Sequence, residues 1–88
     1  YDNGSRVPFL LRWDARVRPG RTYGHLTANI DLAPTLLDVA GVPVPPRMRM
    51  DGISLRPVIE GSTAPVRDHL LLEIGHARAI KTETRKYI

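Results

Sequence analysis

The sequence predicts an α/β chain, because it combines runs that have the hydrophobic period of a strand with one run that has the period of a helix. Apolar residues alternate in 7–13, recur at helical spacing in 32–40, and form further strand-like runs after residue 68. The first run is apolar on nearly both faces, yet a single substantial helix is available to cover it. We therefore expect a piece of a larger α/β protein, in the order strand, helix, short helix and two or three strands.

The run 7–13 predicts a mostly buried strand. One of its faces carries large apolar side chains throughout: Val7, Phe9, Leu11 and Trp13. Pro8 cannot donate a ladder hydrogen bond, and its position near the first residue of the strand avoids that cost. A Pro-Gly turn at 19–20 follows.

The run 32–40 predicts the main helix. Asp31 is a good N-cap, since its carboxylate can accept hydrogen bonds from the amides of the first turn. Pro34 stands in that first turn, where its missing N–H costs nothing. Leu36 lies in the apolar stripe and is expected in the core. Gly41 is placed to end the helix in a left-handed conformation.

The second half of the chain predicts one short helix and a set of strands. Ser54 is expected to cap a helical turn that ends at Gly61. Three strand-like runs follow, at 69–74, 77–81 and 85–88.

Composition excludes several kinds of protein. The 88 residues are 42% hydrophobic and 25% charged, which fits at most one small globular unit. Cysteine is absent, so these residues contain no disulfide and no thiolate metal site. No stretch approaches the ~18 consecutive apolar residues of a membrane helix, so no membrane contact is expected. The redox compartment and the cellular location are not predicted.

The net charge of +4 does not by itself indicate a nucleic-acid partner. Basic residues are scattered from Arg6 to Lys86 among acidic ones, whereas a surface that tracks phosphates requires a cluster. No nucleic acid is therefore expected, although an anion-binding module that uses the arginines stays open. Such a module would bind polyanions with a strong salt dependence.

Histidine and serine residues form no recognisable catalytic or metal-binding pattern. The three histidines, at 25, 69 and 76, share no i, i+4 spacing, and no Ser-His-Asp arrangement is visible. Glu73, His76 and Arg78 surround a loop that enters the final strands, and loops often carry binding groups. Their ordinary interpretation is a structural charge network.

Four sequence blocks, in this order and spacing, resemble the C-terminal region of a sulfatase. They are YDNGSRVPF at 1–9, DLAPTLLDVAGV at 31–42, DGISLRP at 51–57 and RAIKTETRKYI at 78–88. The resemblance covers nearly all of the chain. It implies a fragment of the sulfatase α/β sandwich, with residues 1–61 ending the main domain and 62–88 starting a small C-terminal antiparallel sheet. Sulfatases belong to the alkaline phosphatase superfamily, so phosphonate or phosphodiester hydrolases are alternative parents.

The resemblance also implies the activity of the parent protein. Sulfatases hydrolyse sulfate esters with a formylglycine made from the Cys or Ser of a C/S-x-P-x-R motif, beside a calcium ion held by Asp and Asn. This machinery is expected upstream of Tyr1, so the segment itself contains neither catalytic nor metal-binding residues and is inactive alone. The implied partners are a sulfate-ester small molecule or sugar sulfate and the upstream part of the same polypeptide.

Four residues acquire expected roles from the resemblance. Arg6 matches the family's arginine. We expect Arg6 to form a half-buried ion pair, with Asp2 as the candidate partner, that orients the loop before Arg6. The family commonly has Glu-Gly-Gly where this sequence has Asp2-Asn3-Gly4. His76 and Arg78 are expected at the rim of the substrate pocket. A non-catalytic structural module remains the alternative, and upstream sequence would discriminate the two.

Overall fold

The computed structural model describes residues 6–87, apart from the side chain of Ile74. A short 3-10 turn, Asn29–Asp31, leads directly into helix α1, Leu32–Ala40. Helix α2 follows at Arg56–Ile59. The strands are β1 at His69–Ile74, β2 at Ala77–Thr82 and β3 at Lys86–Tyr87. The predicted α/β class, with one main helix, one short helix and a small antiparallel sheet, is confirmed.

The three strands form one antiparallel sheet in the order β1-β2-β3. Strands β1 and β2 pair along their whole length, from His69 opposite Thr82 to Ile74 opposite Ala77. Residues Gly75 and His76 alone connect them, and Gly75 adopts the positive φ of 57° that such a tight turn requires. The β1–β2 hairpin is therefore a regular two-stranded arm with His76 in its turn.

Helix α1 ends as the sequence predicts. Gly41 has a φ of 72°, and its N–H donates to the carbonyl of Asp38 at 3.1 Å. The next amide, of Val42, donates to the carbonyl of Leu37 at 2.9 Å. These bonds satisfy helix carbonyls that would otherwise lack partners, and a glycine adopts the left-handed conformation without steric cost.

Two expectations about the buried side of α1 are wrong. Leu36, expected in the core, is 65% exposed, whereas Thr35 is 5% exposed and faces inward. Asp31 precedes the helix, but its side chain makes no capping hydrogen bond to the first turn. Leu36 is exposed because the helix packs its Thr35 side against the loop before α2. Asp31 does not cap the helix because its carboxylate binds other segments of the chain.

The predicted strand 7–13 is also absent from the structure. Residues 6–13 form no regular element, and Val7 and Leu10 are 71% and 94% exposed. A strand needs a neighbour to pair with its N–H and C=O groups. Within residues 6–87, the only sheet is the one formed by β1, β2 and β3, and it offers this segment no pairing.

The buried centre of the described residues is small and partly polar. Its apolar members are Leu55 and Ile59, which flank and form part of α2, and its polar members are Asp31 and Thr35. Polar contacts therefore hold the centre of the structure as much as hydrophobic burial does.

No helix within residues 6–87 combines the length and the apolar character needed to span a bilayer.

Candidate functional site

The carboxylate of Asp31 is the most enclosed polar group in the structure, with no exposed surface. The backbone N–H groups of Ala28 and Ile53 each donate to it at 2.9 Å, one to each oxygen. Arg67 donates to both oxygens as well, with Nη1 at 2.6 Å from Oδ2 and Nη2 on Oδ1. Both carboxylate oxygens are therefore used to join three separate segments rather than to cap α1.

The environment of Asp31 keeps it ionised. Burial alone would raise the pKa of its carboxyl group, but the hydrogen bond from Arg67 and those from the Ile53 and Ala28 amides outweigh that effect and lower the pKa below its ordinary value. The same hydrogen bond raises the pKa of Arg67. A buried carboxylate with a lowered pKa and with both oxygens hydrogen-bonded is suited to holding structure and poorly suited to exchanging protons near neutral pH.

Thr35 continues the same junction one helical turn later. Its hydroxyl donates to the backbone carbonyl of Asp31 at 2.5 Å and accepts from the backbone N–H of Leu55 at 2.8 Å. Thr35 thus fixes the entry to α2 against α1, and it does so from a nearly buried position.

Asp38 makes the third link between the helices. Ser54 donates its hydroxyl hydrogen to Oδ2 of Asp38 at 2.7 Å, and Nη1 of Arg56 donates to Oδ1 at 3.0 Å. These two hydrogen bonds, that of Ser54 first, lower the pKa of Asp38. The Ser54 hydroxyl also accepts from the backbone N–H of Arg56 at 3.1 Å, but the N-cap residue of α2 is Leu55, one position later than predicted.

Gly52 allows the two sequence blocks to approach this closely. A Cβ atom at residue 52 would lie 1.9 Å from the backbone carbonyl oxygen of Ile30, far inside van der Waals contact. The block DGISLRP therefore lies directly against the block DLAPTLLD, and polar side chains of the second bind the first. The residues that carry the family resemblance are, in this part of the chain, the residues that hold it together.

A second set of contacts joins the irregular segment 21–28 to residues 64 and 83. The Tyr23 hydroxyl donates to the carbonyl of Ala64 at 2.8 Å, and Nδ1 of His25 lies 2.5 Å from Oε1 of Glu83. The rings of Tyr23 and His25 pack edge to face, with centroids 5.2 Å apart. The contact between His25 and Glu83 lies directly after the end of β2 at Thr82.

An open groove of about 600 Å³ lies beside this second set of contacts. It runs between residues 65–68 and residues 82–84. Arg67 lines the groove, but its guanidinium group is bound to Asp31 and is only 8% exposed. The groove is thus bordered by a structural arginine rather than by a free cation.

Comparison with known proteins identifies the kind of domain to which these contacts belong. Residues 1–87 match the family described as N-sulphoglucosamine sulphohydrolase, C-terminal. This chain belongs to that sulfatase family. The match confirms the resemblance to the C-terminal region of a sulfatase.

Individual sulfatases are similar over most of this chain. N-acetylglucosamine-6-sulfatase of Homo sapiens is 38% identical over 86 residues, or 96% of the chain and 15% of that protein. Ulvan-active sulfatase of Formosa agariphila is 33% identical over 97 aligned positions, or 99% of the chain and 19% of that protein. Steryl-sulfatase of Homo sapiens is 36% identical over 63 residues, or 72% of the chain and 11% of that protein. The chain therefore spans a fifth or less of the length of these relatives.

The residues predicted at the sulfatase pocket rim lie away from the groove. His76 is exposed in the β1–β2 turn, and Arg78 follows on β2, where it lies opposite Glu73 with 3.6 Å between Nε and Oε1. Since an antiparallel strand rises about 3.4 Å per residue, the turn is about 17 Å from the groove end of the hairpin. The structure joins Arg78 to Glu73, and the rim role of His76 and Arg78 stays a prediction.

The other residues predicted from the sulfatase resemblance are only partly described. Arg6 is exposed, and Asp2 lies outside the described residues, so the pair between them stays a prediction. Within residues 6–87, no group of three or more His, Asp and Glu side chains could hold a metal ion. The location of the calcium ligands outside this segment stays a prediction.

Sequence reasoning did not identify Arg67 as a site residue. It stands between a short linker and β1 and belongs to no recognised motif. The available signal was Asp31, the acidic first residue of the block DLAPTLLD, because a buried carboxylate requires a cationic partner elsewhere in the chain. Neither the spacing nor the composition indicated which of the eleven arginines it would be.

Proposed function

We propose that this chain is the C-terminal part of a hydrolase that cleaves sulfate esters, and that it serves as a scaffold for the active site. The observation that carries the proposal is the family match over residues 1–87. The named relatives, which act on different compounds, are all called sulfatases. A fold alone does not establish a reaction, so the proposal depends on that agreement among the relatives.

The proposal places the nucleophile and the calcium ligands in other parts of the polypeptide. The 88 residues contain no cysteine, and none of the serines begins the motif S-x-P-x-R. Among the described residues, the buried Asp31 and the half-exposed Asp38 are both bound to arginines. These observations favour a supporting role for the segment rather than a chemical one.

The proposed substrate is a sulfate ester of a small molecule or of a sugar, bound at a pocket whose rim includes His76 and Arg78. An arginine can donate two parallel hydrogen bonds to an oxyanion, and a histidine adds a further donor. Arg78 is 76% exposed, so its guanidinium group is accessible to a substrate in addition to Glu73.

The test uses the complete polypeptide that carries these residues. Sulfate release from 4-nitrophenyl sulfate and from sugar 6-sulfates is measured by ion chromatography, and bis(4-nitrophenyl) phosphate serves as the competing substrate class. Peptide mapping of the same sample looks for formylglycine in a C/S-x-P-x-R sequence. Sulfate release together with formylglycine is the expected result.

Two other results would each replace the proposal. Faster cleavage of the phosphodiester than of every sulfate ester would indicate a related phosphodiester or phosphonate hydrolase. The absence of both hydrolysis and the C/S-x-P-x-R motif would indicate a non-catalytic structural or anion-binding module.

A further inference from the structure

We propose that Arg67 is a positioning residue, which orients the β1–β2 hairpin through Asp31 and thereby places His76 at the substrate pocket. The inference rests on the proposed function for the pocket, but the orienting role itself does not. It assigns to the buried ion pair a task beyond stability, namely control of where the turn of the hairpin lies.

Arg67 lies close to the start of the hairpin along the chain. It stands two residues before β1 begins at His69, so little backbone separates the ion pair from the hairpin. Its guanidinium group donates to both oxygens of Asp31 and is only 8% exposed. A bidentate pair of this kind fixes the plane of the guanidinium as well as its location. The start of β1 is therefore held in both position and direction.

A second contact holds the end of the partner strand, β2. Glu83 directly follows the last residue of β2, Thr82, which lies opposite His69. Oε1 of Glu83 is 2.5 Å from Nδ1 of His25, and the side chain of Glu83 is 39% exposed. Both strands of the hairpin are thus attached to the rest of the chain at the same end.

The opposite end of the hairpin is its turn, at residues 75 and 76. His76 is exposed, and the ion pair nearest to it, Glu73 with Arg78, lies within the hairpin itself. Across residues 6–87, the side-chain contacts that attach the hairpin to other segments come from Arg67 and Glu83, which flank its base. Within the described residues, the contacts that orient the turn are therefore those at the base of the hairpin.

The geometry amplifies small changes at the base. Over a hairpin about 17 Å long, a tilt of about 5° displaces the turn by about 1.5 Å. A displacement of about 1 Å in a substrate-positioning group can change a rate constant about a hundredfold. Replacing the planar guanidinium of Arg67 by the single ammonium of lysine keeps the charge but removes the second hydrogen bond.

The experiment compares Arg67→Lys with Arg12→Lys in the complete polypeptide. Arg12 is the matched control, because it also donates from two nitrogens to both oxygens of an aspartate, Asp14, but does so on the surface with 87% exposure. Two quantities are measured: hydrogen–deuterium exchange of the amides of residues 69–82, and KM and kcat for 4-nitrophenyl sulfate. His76→Ala is combined with each variant.

In Arg67→Lys we expect faster amide exchange in the hairpin and a KM raised about tenfold, with a smaller change in kcat. In Arg12→Lys we expect the amide exchange, the KM and the kcat to be unchanged. Because Arg67 acts through the position of His76, His76→Ala should add little to the KM of Arg67→Lys. Full additivity of the two KM effects, or a lowered melting temperature with unchanged KM, would overturn the positioning role.

Two further observations separate this inference from the proposed function. Unchanged exchange in residues 69–82 of Arg67→Lys refutes the orienting role, whether or not the polypeptide hydrolyses sulfate esters. If Arg67→Lys does not fold, Glu83→Gln is used in its place. It weakens the contact between Glu83 and His25 at a position that is only partly buried. We expect it to raise hairpin exchange, and unchanged exchange would contradict the inference.

Discussion

Arg67 and Asp31 form a bidentate ion pair in which the arginine side chain is 8% exposed and the aspartate side chain is fully buried. The two residues are 36 positions apart, so the pair closes a long section of chain. Two buried charges are costly to remove from water, and the remaining capacity of the carboxylate is satisfied by the amides of Ala28 and Ile53. The pair therefore favours this arrangement of the segments, because separating the two side chains while they stay buried leaves each charge without its partner.

Removal of the arginine charge should destabilise the protein strongly. Arg67→Met leaves the Asp31 carboxylate buried without its cation, and the expected loss is about 3–5 kcal/mol of unfolding free energy. Urea denaturation of the complete polypeptide measures this loss. Arg12→Met, which breaks the exposed pair with Asp14, is the control and should leave the midpoint almost unchanged. Equal effects of the two substitutions would show that the Arg67 pair is not buried in solution.

The same pair predicts a dependence of stability on pH. The folded-state pKa of Asp31 lies below its unfolded value of about 3.9, so its stabilising contribution is fully present above that value. The contribution decreases as the pH falls below about 4 and is lost as the pH passes through the lowered folded pKa. Comparison of the wild type with Asp31→Asn at a series of pH values should give a stability difference that narrows on acidification. Parallel curves down to the lowest pH would contradict the assignment.

Helix α1 could be predicted because its signals are local. The left-handed φ of 72° at Gly41 and the placement of Pro34 in the first turn follow from residues within or beside the helix. The strand segments of the sheet were similarly accessible, since the runs at 69–74 and 77–81 are local patterns, whereas the pairing of β1 with β2 was not predicted.

The role of Asp31, the exposure of Leu36 and the state of residues 7–13 could not be predicted because each depends on distant partners. Asp31 meets Ile53 and Arg67, which are 22 and 36 residues away. A helical stripe shows which residues share a face but not which other segment covers that face, and so Leu36 was misplaced. The alternation in 7–13 is a strand pattern without a pairing strand among the described residues. Prediction of the candidate site was limited in the same way, because no local motif indicates Arg67.

Close packing at Gly52 leads to a third prediction. Gly52→Ala would place a Cβ atom 1.9 Å from the carbonyl oxygen of Ile30, and backbone atoms must then shift. The expected cost is about 3 kcal/mol, at the upper end for overpacking, since backbone rather than a flexible side chain must yield. Gly24→Ala is the matched control, because a Cβ there meets nothing within 4 Å. Differential scanning calorimetry of the two variants should show a much larger fall in melting temperature for Gly52→Ala, and similar falls would refute the contact.

Exposed apolar side chains predict that a polypeptide restricted to these 88 residues will self-associate. Val7, Leu10 and Leu36 are 71%, 94% and 65% exposed, and such exposure favours association through apolar surfaces. Sedimentation velocity over a range of concentrations should show a weight-average mass that rises with concentration. Leu36→Lys should reduce this association, because it removes an exposed apolar side chain from α1. Ala40→Lys, which adds the same charge to an exposed position of that helix, should not. A sharp unfolding transition of a monomer at every concentration would contradict the prediction and would show that these residues form a stable unit without further protein surface to cover them.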